Sequence, residues 1–182
     1  MDHDIKIFGA PDQQEDLESV AAQTEALRAS GELDRAKRLG RELAALSAKR
    51  DELLSLANSF GFVLTPAREQ QLQVLMVFSG QHALREMLVP KLLAEAAITA
   101  MNNFLINKSR AFWDTISDGS AFTQYLLAER AGASCEESAV LMGKVFARVC
   151  GQEDNADLHR LGATVFRTAH ELVAAKWGNA EG

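Results

Sequence analysis

The chain has 182 residues, of which 47% are apolar and 24% are charged, with only 12 Gly and 3 Pro. This composition excludes a disordered chain and low-complexity or collagen-like sequence, and the length suits one domain or one domain with an appendage. Two cysteines exclude a disulfide-stabilised scaffold. Because so few cysteines fit a reducing compartment, we expect a cytoplasmic protein without a signal peptide. The formal net charge of −6 argues against nucleic acid or an anionic membrane as the main partner.

Residues 12–60 have the pattern of a helical hairpin. The first helix is predicted to begin at Asp12, a favourable N-terminal cap, and to end before Gly31, which is suited to a left-handed stop. The second helix is predicted to extend from that turn to Phe60 without a break. Its apolar residues recur at heptad spacing, interrupted by one arginine: Ala36, Leu39, Leu43, Leu46, Arg50, Leu53, Ala57 and Phe60. We therefore predict a coiled-coil-like hairpin whose far end packs on the rest of the protein.

Residues 62–178 have the pattern of a bundle of about six helices. Thr65 followed by Pro66 marks the start of one helix, and Ser79-Gly80 is expected to interrupt it. Further helices are predicted at residues 82–88, 90–108, 110–117, 120–131, 135–150 and 155–177. The most apolar of these contains Lys91 and other polar residues, so we predict a buried bundle helix and not a membrane span. No alternating β pattern is present, and the chain is predicted to be all-α.

Our main functional prediction comes from the heptad stripe of the second helix. The first helix has few large apolar residues to cover it, so a second copy of the chain or another protein is expected to complete the packing, most simply as a homodimer. The predicted interface residues are Leu39, Leu43, Leu46, Arg50 and Leu53. Arg50 is expected at the edge of the interface, paired with an acidic residue. The chain is thus predicted to be a non-enzymatic protein–protein interaction or self-assembling module.

An aromatic cluster offers an alternative function, because aromatic walls with a few polar groups are typical of small-molecule sites and also of bundle cores. The candidate pocket residues are Phe104, Arg110, Trp113, Phe122 and Tyr125. If they form a pocket, the indole of Trp113 is expected to be partly accessible and to lie beside a cavity. The alternative function is therefore a sensor-like bundle that binds a small molecule. The sequence does not decide whether the aromatic residues form a pocket or part of the core.

The segment 127–142 offers a third function. Its packing, turn and capping positions are held by Ala128, Ala131, Gly132 and Ser134. In these positions the segment resembles the helix-turn-helix of bacterial repressors, which implies a DNA-binding regulator. It departs from that family at Ser138, where a large aliphatic residue is usual, and at Glu136 and Glu137, which would approach phosphates.

The sequence has no arrangement typical of an enzyme, a cofactor site or a metal site. It lacks a glycine-rich phosphate loop and a nucleophile beside a base, so no catalytic or cofactor-binding residues are predicted. His82 and Glu86 are one helical turn apart and offer two metal ligands, a pair that is common by chance. His159 and His170 lie on one helical face but about 16 Å apart, too far to share an ion. We therefore predict a chain without a bound metal.

Overall fold

The computed structural model describes residues 11–117 and 119–178, with side chains described from Glu18 onward. In these ranges the chain is all-α, as the sequence predicts, and has no β-strand. Of the helices in these ranges, none is both long enough and apolar enough to cross a membrane. The helices are α1 (Pro11–Ala29), α2 (Glu32–Ser47), α3 (Arg50–Ser59), α4 (Pro66–Met87), α5 (Lys91–Lys108), α6 (Arg110–Ser117), α7 (Ser120–Ala131), α8 (Cys135–Val149) and α9 (Ala156–Gly178).

Several helices begin and end where local signals predict. The Thr65 hydroxyl accepts a hydrogen bond from the backbone three residues later, and Pro66 is the first residue of α4. The Ser134 hydroxyl caps α8 in the same way, and the Asn155 side chain accepts hydrogen bonds from two backbone N–H groups in the first turn of α9. Gly31 separates α1 from α2 with a φ of 80°. These residues satisfy backbone groups that a helix end leaves without partners.

The prediction of one continuous second helix is wrong, because the helix is divided into α2 and α3 near Ala48. The Ser47 hydroxyl donates a hydrogen bond to the carbonyl of Ala44 at 2.8 Å, an interaction that bends helices. Beyond the break, Arg50 Nε donates to the Glu69 carboxylate of α4 at 2.5 Å. The change of direction therefore places α3 against α4, and Arg50 is paired with an acid as predicted.

The predicted interruption at Ser79 and Gly80 is also wrong, because α4 continues past both residues. The Ser79 hydroxyl donates to the carbonyl of Leu75 at 2.8 Å, so its buried polar group is satisfied inside the helix. Gly80 faces the side chains of Leu43 and Met101. A Cβ at Gly80 would lie 3.4 Å from the end of Met101, an ordinary contact distance, so this glycine neither ends its helix nor is required by its neighbours.

Helix α4 lies at the centre of the bundle and packs against α2, α3, α5, α7, α8 and α9. Around it, α2 lies along α5 and α8 lies along α9, and each pair approaches closely at a glycine. A Cβ added at Gly40 would lie 1.9 Å from the carbonyl oxygen of Ala97, and one added at Gly143 would lie 2.1 Å from that of His159. One buried apolar core extends through these contacts and includes residues from both of the predicted units.

The interface residues predicted on the second helix belong largely to this core. Leu39, Leu43 and Leu53 are 4%, 2% and 5% exposed in a single chain, because α2 packs along α5 and α3 against α4. Leu46 is half-buried and Arg50 is exposed. The stripe is therefore buried by something other than the first helix, as predicted, but the chain's own helices cover it and a second copy is not needed.

Helix α2 also holds the end of α9. The Arg35 guanidinium donates to the backbone carbonyl of Lys176 at 2.8 Å and to that of Trp177, and it lies 4.4 Å from the centroid of the Trp177 ring. Lys176 Nζ lies 2.5 Å from the Glu42 carboxylate. Because the last carbonyls of a helix lack internal partners, these contacts satisfy the end of α9 and join segments that are 141 residues apart.

Candidate metal centre

Two of the predicted pocket residues lie in the core. Phe122 and Tyr125 pack around Phe78 of α4, with ring centroids 5.1 and 5.5 Å from it. Tyr125 is fully buried, its hydroxyl has no hydrogen-bond partner among the described residues, and burial raises the pKa of this phenol well above its ordinary value. This part of the predicted cluster is therefore core packing.

The other three predicted residues lie elsewhere. Phe104 lines a groove between α2 and α5 that is lined by none of the other four. Trp113 is half-buried against the core, which agrees with the predicted partial accessibility of its indole. It does not line the groove beside Phe104 or the cavity beside Phe112, so the predicted cavity next to the indole is not found there. Arg110 is exposed and pairs with Asp114 at 2.9 Å. The structure therefore brings Phe104 to a groove without its predicted partners.

The predicted helix-turn-helix is a tight corner between α7 and α8. A Cβ added at Gly132 would lie 2.3 Å from the Ser138 hydroxyl and 2.9 Å from the Ser138 backbone nitrogen, so a residue larger than glycine would not fit at position 132. Glu136 is paired with Arg167 of α9, and this hydrogen-bonded pairing lowers the pKa of the carboxyl group. The carboxylate of Glu137 accepts from the backbone of Ala133. Both acidic residues thus have structural partners at this corner.

A cluster of ionisable side chains lies between α4 and α9. His82 and Glu86 are one turn apart on α4, and His170 on α9 faces them. His82 Nδ1 is 2.9 Å from His170 Nε2, while one Glu86 oxygen is 3.6 Å from the first nitrogen and 3.3 Å from the second. Three atoms that can each donate a lone pair to a cation therefore converge on one point.

Each histidine is oriented by a contact through its other ring nitrogen. His170 Nδ1 is 2.9 Å from the backbone carbonyl of Phe166, and His82 Nε2 is 3.3 Å from a carboxylate oxygen of Glu129 on α7. With a metal ion bound, each ring would carry its proton on the outer nitrogen, toward this acceptor, and the inner nitrogen would offer its lone pair to the ion. Such acceptors behind histidine ligands are typical of metal sites in proteins.

The negative charges around the pair favour a cation. Two neutral imidazoles carry two hydrogens, which are enough for a hydrogen bond between the rings and one from His170 to the Phe166 carbonyl. The carboxylates of Glu86 and Glu129 then lie within 3.6 Å of ring nitrogens that carry no charge. A positive charge at the pair, from an additional proton or from a metal ion, would be attracted by both carboxylates.

Burial favours the metal ion over the proton. Both rings are almost completely buried, and desolvation lowers the pKa of His82, although the negative charges of Glu86 and Glu129 oppose this effect. The extra proton is thus disfavoured at neutral pH, while the two carboxylates still attract positive charge. A metal ion binds neutral imidazole, so the lowered pKa of His82 and the nearby carboxylates both favour a divalent cation over the extra proton.

The three donor atoms are close enough to share one metal ion. They form a triangle with sides of 2.9, 3.3 and 3.6 Å, whose corners are about 1.9 Å from its centre, near the roughly 2.0–2.1 Å of zinc–nitrogen and zinc–oxygen bonds. The 2.9 Å between the histidine nitrogens is a hydrogen-bond distance, so the two rings would separate by a few tenths of an ångström to reach the roughly 3.3 Å of tetrahedral coordination. The Glu86 side chain is half exposed, so one side of the cluster faces solvent. Three protein ligands with an accessible fourth position are typical of zinc sites that also bind water or a ligand.

Apolar side chains enclose the other sides of the cluster. The Phe166 ring centroid is 5.1 Å from that of His82 and 4.4 Å from that of His170, and Phe78 lies 6.4 Å from His82. This packing fixes both imidazole rings and lowers the local dielectric constant. This packing restricts the movement of the two histidine rings, so only a small separation is open to them.

Comparison with known proteins gives no relative: no family model, no curated protein and no solved structure matches the chain.

Proposed function

We propose that the chain is a metal-binding helical protein that holds one divalent transition metal ion, most favourably zinc, between His82, Glu86 and His170. The observation that supports the proposal is the convergence of two buried histidine nitrogens and one Glu86 oxygen within 3.6 Å of one another. Imidazole and carboxylate ligands in this number are those of zinc sites with an open position. Water or an exchangeable ligand takes the fourth position on the solvent side.

Metal binding couples two helices that are distant in the sequence. Two ligands lie on α4 and the third on α9, so the ion is expected to stabilise their contact. An ion that binds only the folded state at 100 times its Kd stabilises a protein by about 2.7 kcal/mol. For a chain of this length, that corresponds to a rise in Tm of roughly 5–10 °C.

The test is a zinc titration of chelator-treated protein against a chromophoric competitor, with Tm measured in parallel. We expect one zinc per chain and a higher Tm when it is bound. Glu86→Gln and His170→Ala are expected to remove binding, and Glu129→Gln to weaken it by about 10–100-fold through the orientation of His82. Glu86→Gln is the more informative variant, because this side chain is half exposed and its replacement leaves the core intact.

Matched controls separate this site from adventitious binding. His159→Ala removes a histidine from the same helix as His170, and Glu95→Gln removes an exposed carboxylate from α5. Both variants are expected to bind zinc as the unaltered chain does. Stoichiometric binding that survives Glu86→Gln and His170→Ala together, or the absence of any zinc binding, would contradict the proposal.

A further inference from the structure

A groove of about 760 Å³ extends along α5 beside α2. Its volume is within the range of about 300–1,000 Å³ that is usual for ligand sites. Its apolar floor is formed by half-buried residues of α5 at four-residue steps, namely Leu92, Ala96, Ala100 and Phe104. Because the two central residues are alanines, the floor is lower between the larger side chains of Leu92 and Phe104. The floor is therefore long and narrow, which suits a single hydrocarbon chain.

Polar and charged side chains line both edges of this floor. The edge away from α2 carries the exposed residues Thr99, Asn103 and Asn107. On the α2 side lie Lys37 and Arg41. Lys37 is half-buried although it is charged, so its methylene groups line the wall while its ammonium group reaches solvent. An apolar strip one residue wide is narrower than the apolar face of an amphipathic helix, so the groove favours a chain-like ligand over a helical partner.

The groove has an excess of positive charge. Its charged residues are three cations and one acid, namely Lys37, Arg41, Lys108 and Glu95. The acid is already paired, because the Glu95 carboxylate lies 3.5 Å from Lys91, which does not line the groove. Lys37 lies 3.7 Å from Asp34, whereas Arg41 and Lys108 form no ion pair with any described side chain. The lining therefore favours an anionic ligand.

The packing of α2 along α5 fixes where this charge lies on the floor. Gly40 of α2 contacts the backbone of Ala97, and eight residues further along each helix Ala48 and Leu105 line one cavity. The two helices therefore run in the same direction, and the turn of α2 that carries two of the cations lies beside the first half of the floor. The remaining floor, up to Phe104, is roughly 10–15 Å long. An anionic head beside α2 leaves this length of apolar floor for a chain.

We propose that this groove binds a single-chain anionic amphiphile, namely a fatty acid or a similar long-chain carboxylate. The carboxylate lies between Lys37 and Arg41, and the Arg41 guanidinium donates two parallel hydrogen bonds to it. The hydrocarbon chain lies on the floor and extends toward Phe104, one of the residues for which the sequence predicts a ligand pocket. The groove is distinct from the metal centre, which lies between α4 and α9, so either proposal can fail without the other.

The test is calorimetric titration of the full chain with laurate, below its micelle concentration and at pH 8, where the carboxylate is ionised. We expect one laurate per chain, and binding that strengthens by about two- to fourfold for each methylene added between octanoate and laurate. Dodecyltrimethylammonium, which has the same chain and a positive head, is expected not to bind. Arg41→Gln is expected to weaken laurate binding by about 10–100-fold through the lost charged hydrogen bonds, and Ala100→Trp to abolish it by filling the floor.

The matched control is Arg38→Gln, which removes an exposed positive charge of α2 outside the groove and is expected to leave laurate binding unchanged. Circular dichroism checks that each variant is folded. The absence of laurate binding, equal binding of the cationic amphiphile, or laurate binding that survives both groove substitutions would overturn the proposal. Binding lost in Arg41→Gln but kept in Ala100→Trp would place the chain elsewhere and overturn it as well. So would binding of phosphatidylglycerol vesicles without binding of free laurate, because that result would identify a membrane-facing surface.

Discussion

Replacing Gly40 with alanine tests whether α2 and α5 depend on a direct contact between their backbones. A Cβ at this position would lie 1.9 Å from the carbonyl oxygen of Ala97 and 2.7 Å from its carbonyl carbon. Ordinary contact begins at 3.4 Å, so α5 would have to move by about 1.5 Å. A gap of even 0.5–1 Å removes about a quarter to a half of each dispersion contact across it.

The expected change in the free energy of unfolding is the difference between two opposing effects. Alanine is favoured over glycine inside a helix by about 0.8–1.0 kcal/mol, whereas overpacking of a well-packed core typically destabilises by about 1–3 kcal/mol. At Gly40 the obstacle is backbone, which cannot rotate away, so we expect Gly40→Ala to destabilise the fold by at least about 1 kcal/mol. Gly80 is the matched control, because a Cβ there would lie 3.4 Å from the flexible end of Met101. Gly80→Ala is therefore expected to stabilise the fold by about 0.5–1 kcal/mol.

Urea denaturation followed by circular dichroism measures both changes. If the m-values of the variants agree, the shift in midpoint reports stability directly. A Gly40→Ala variant as stable as the unaltered chain, or as stable as Gly80→Ala, would refute the argument that α2 and α5 touch through their backbones.

Two further predictions concern buried polar groups. Tyr125→Phe removes a buried hydroxyl that has no hydrogen-bond partner among the described residues. Thermal denaturation should therefore show an unchanged free energy of unfolding or an increase of up to about 1 kcal/mol. A decrease of more than about 1 kcal/mol would mean that the hydroxyl has a partner. Burial raises the pKa of the Cys150 thiol to about 11, whereas Cys135 is exposed. Iodoacetamide at pH 8 should therefore modify Cys135 in the native chain and Cys150 only after urea is added, as read by mass spectrometry, and equal rates would contradict this assignment.

The sequence predicts helix ends well where a local chemical signal marks them. Thr65, Ser134 and Asn155 each satisfy backbone groups within a few residues of themselves, so their role does not depend on the rest of the fold. Gly80 shows the opposite case. The sequence predicts a helix break there, but α4 continues through it, because the packing of α4 against neighbouring helices outweighs the low helix propensity of one glycine.

The proposed metal ligands show the same limit. The spacing of His82 and Glu86 is visible in the sequence, but His170 is 88 residues from His82, and only the packing of α4 against α9 brings them together. One feature of the α9 sequence did indicate that His170 has a buried partner. His170 follows Ala169 and precedes Val173, both of them core residues, so a polar ring at this position needs a buried partner. His82, which lies among the buried residues of α4, is such a partner.

The packing of α2 along α5 has a consequence during translation. The apolar face of α2 is complete when Ser47 has been added, but its main covering helix ends only at Lys108. About 60 residues separate these points, which corresponds to roughly 3–12 s at a synthesis rate of about 5–20 residues per second. For that interval Leu39 and Leu43 lack the helix that buries them, so the nascent chain presents a hydrophobic surface of the kind that chaperones bind.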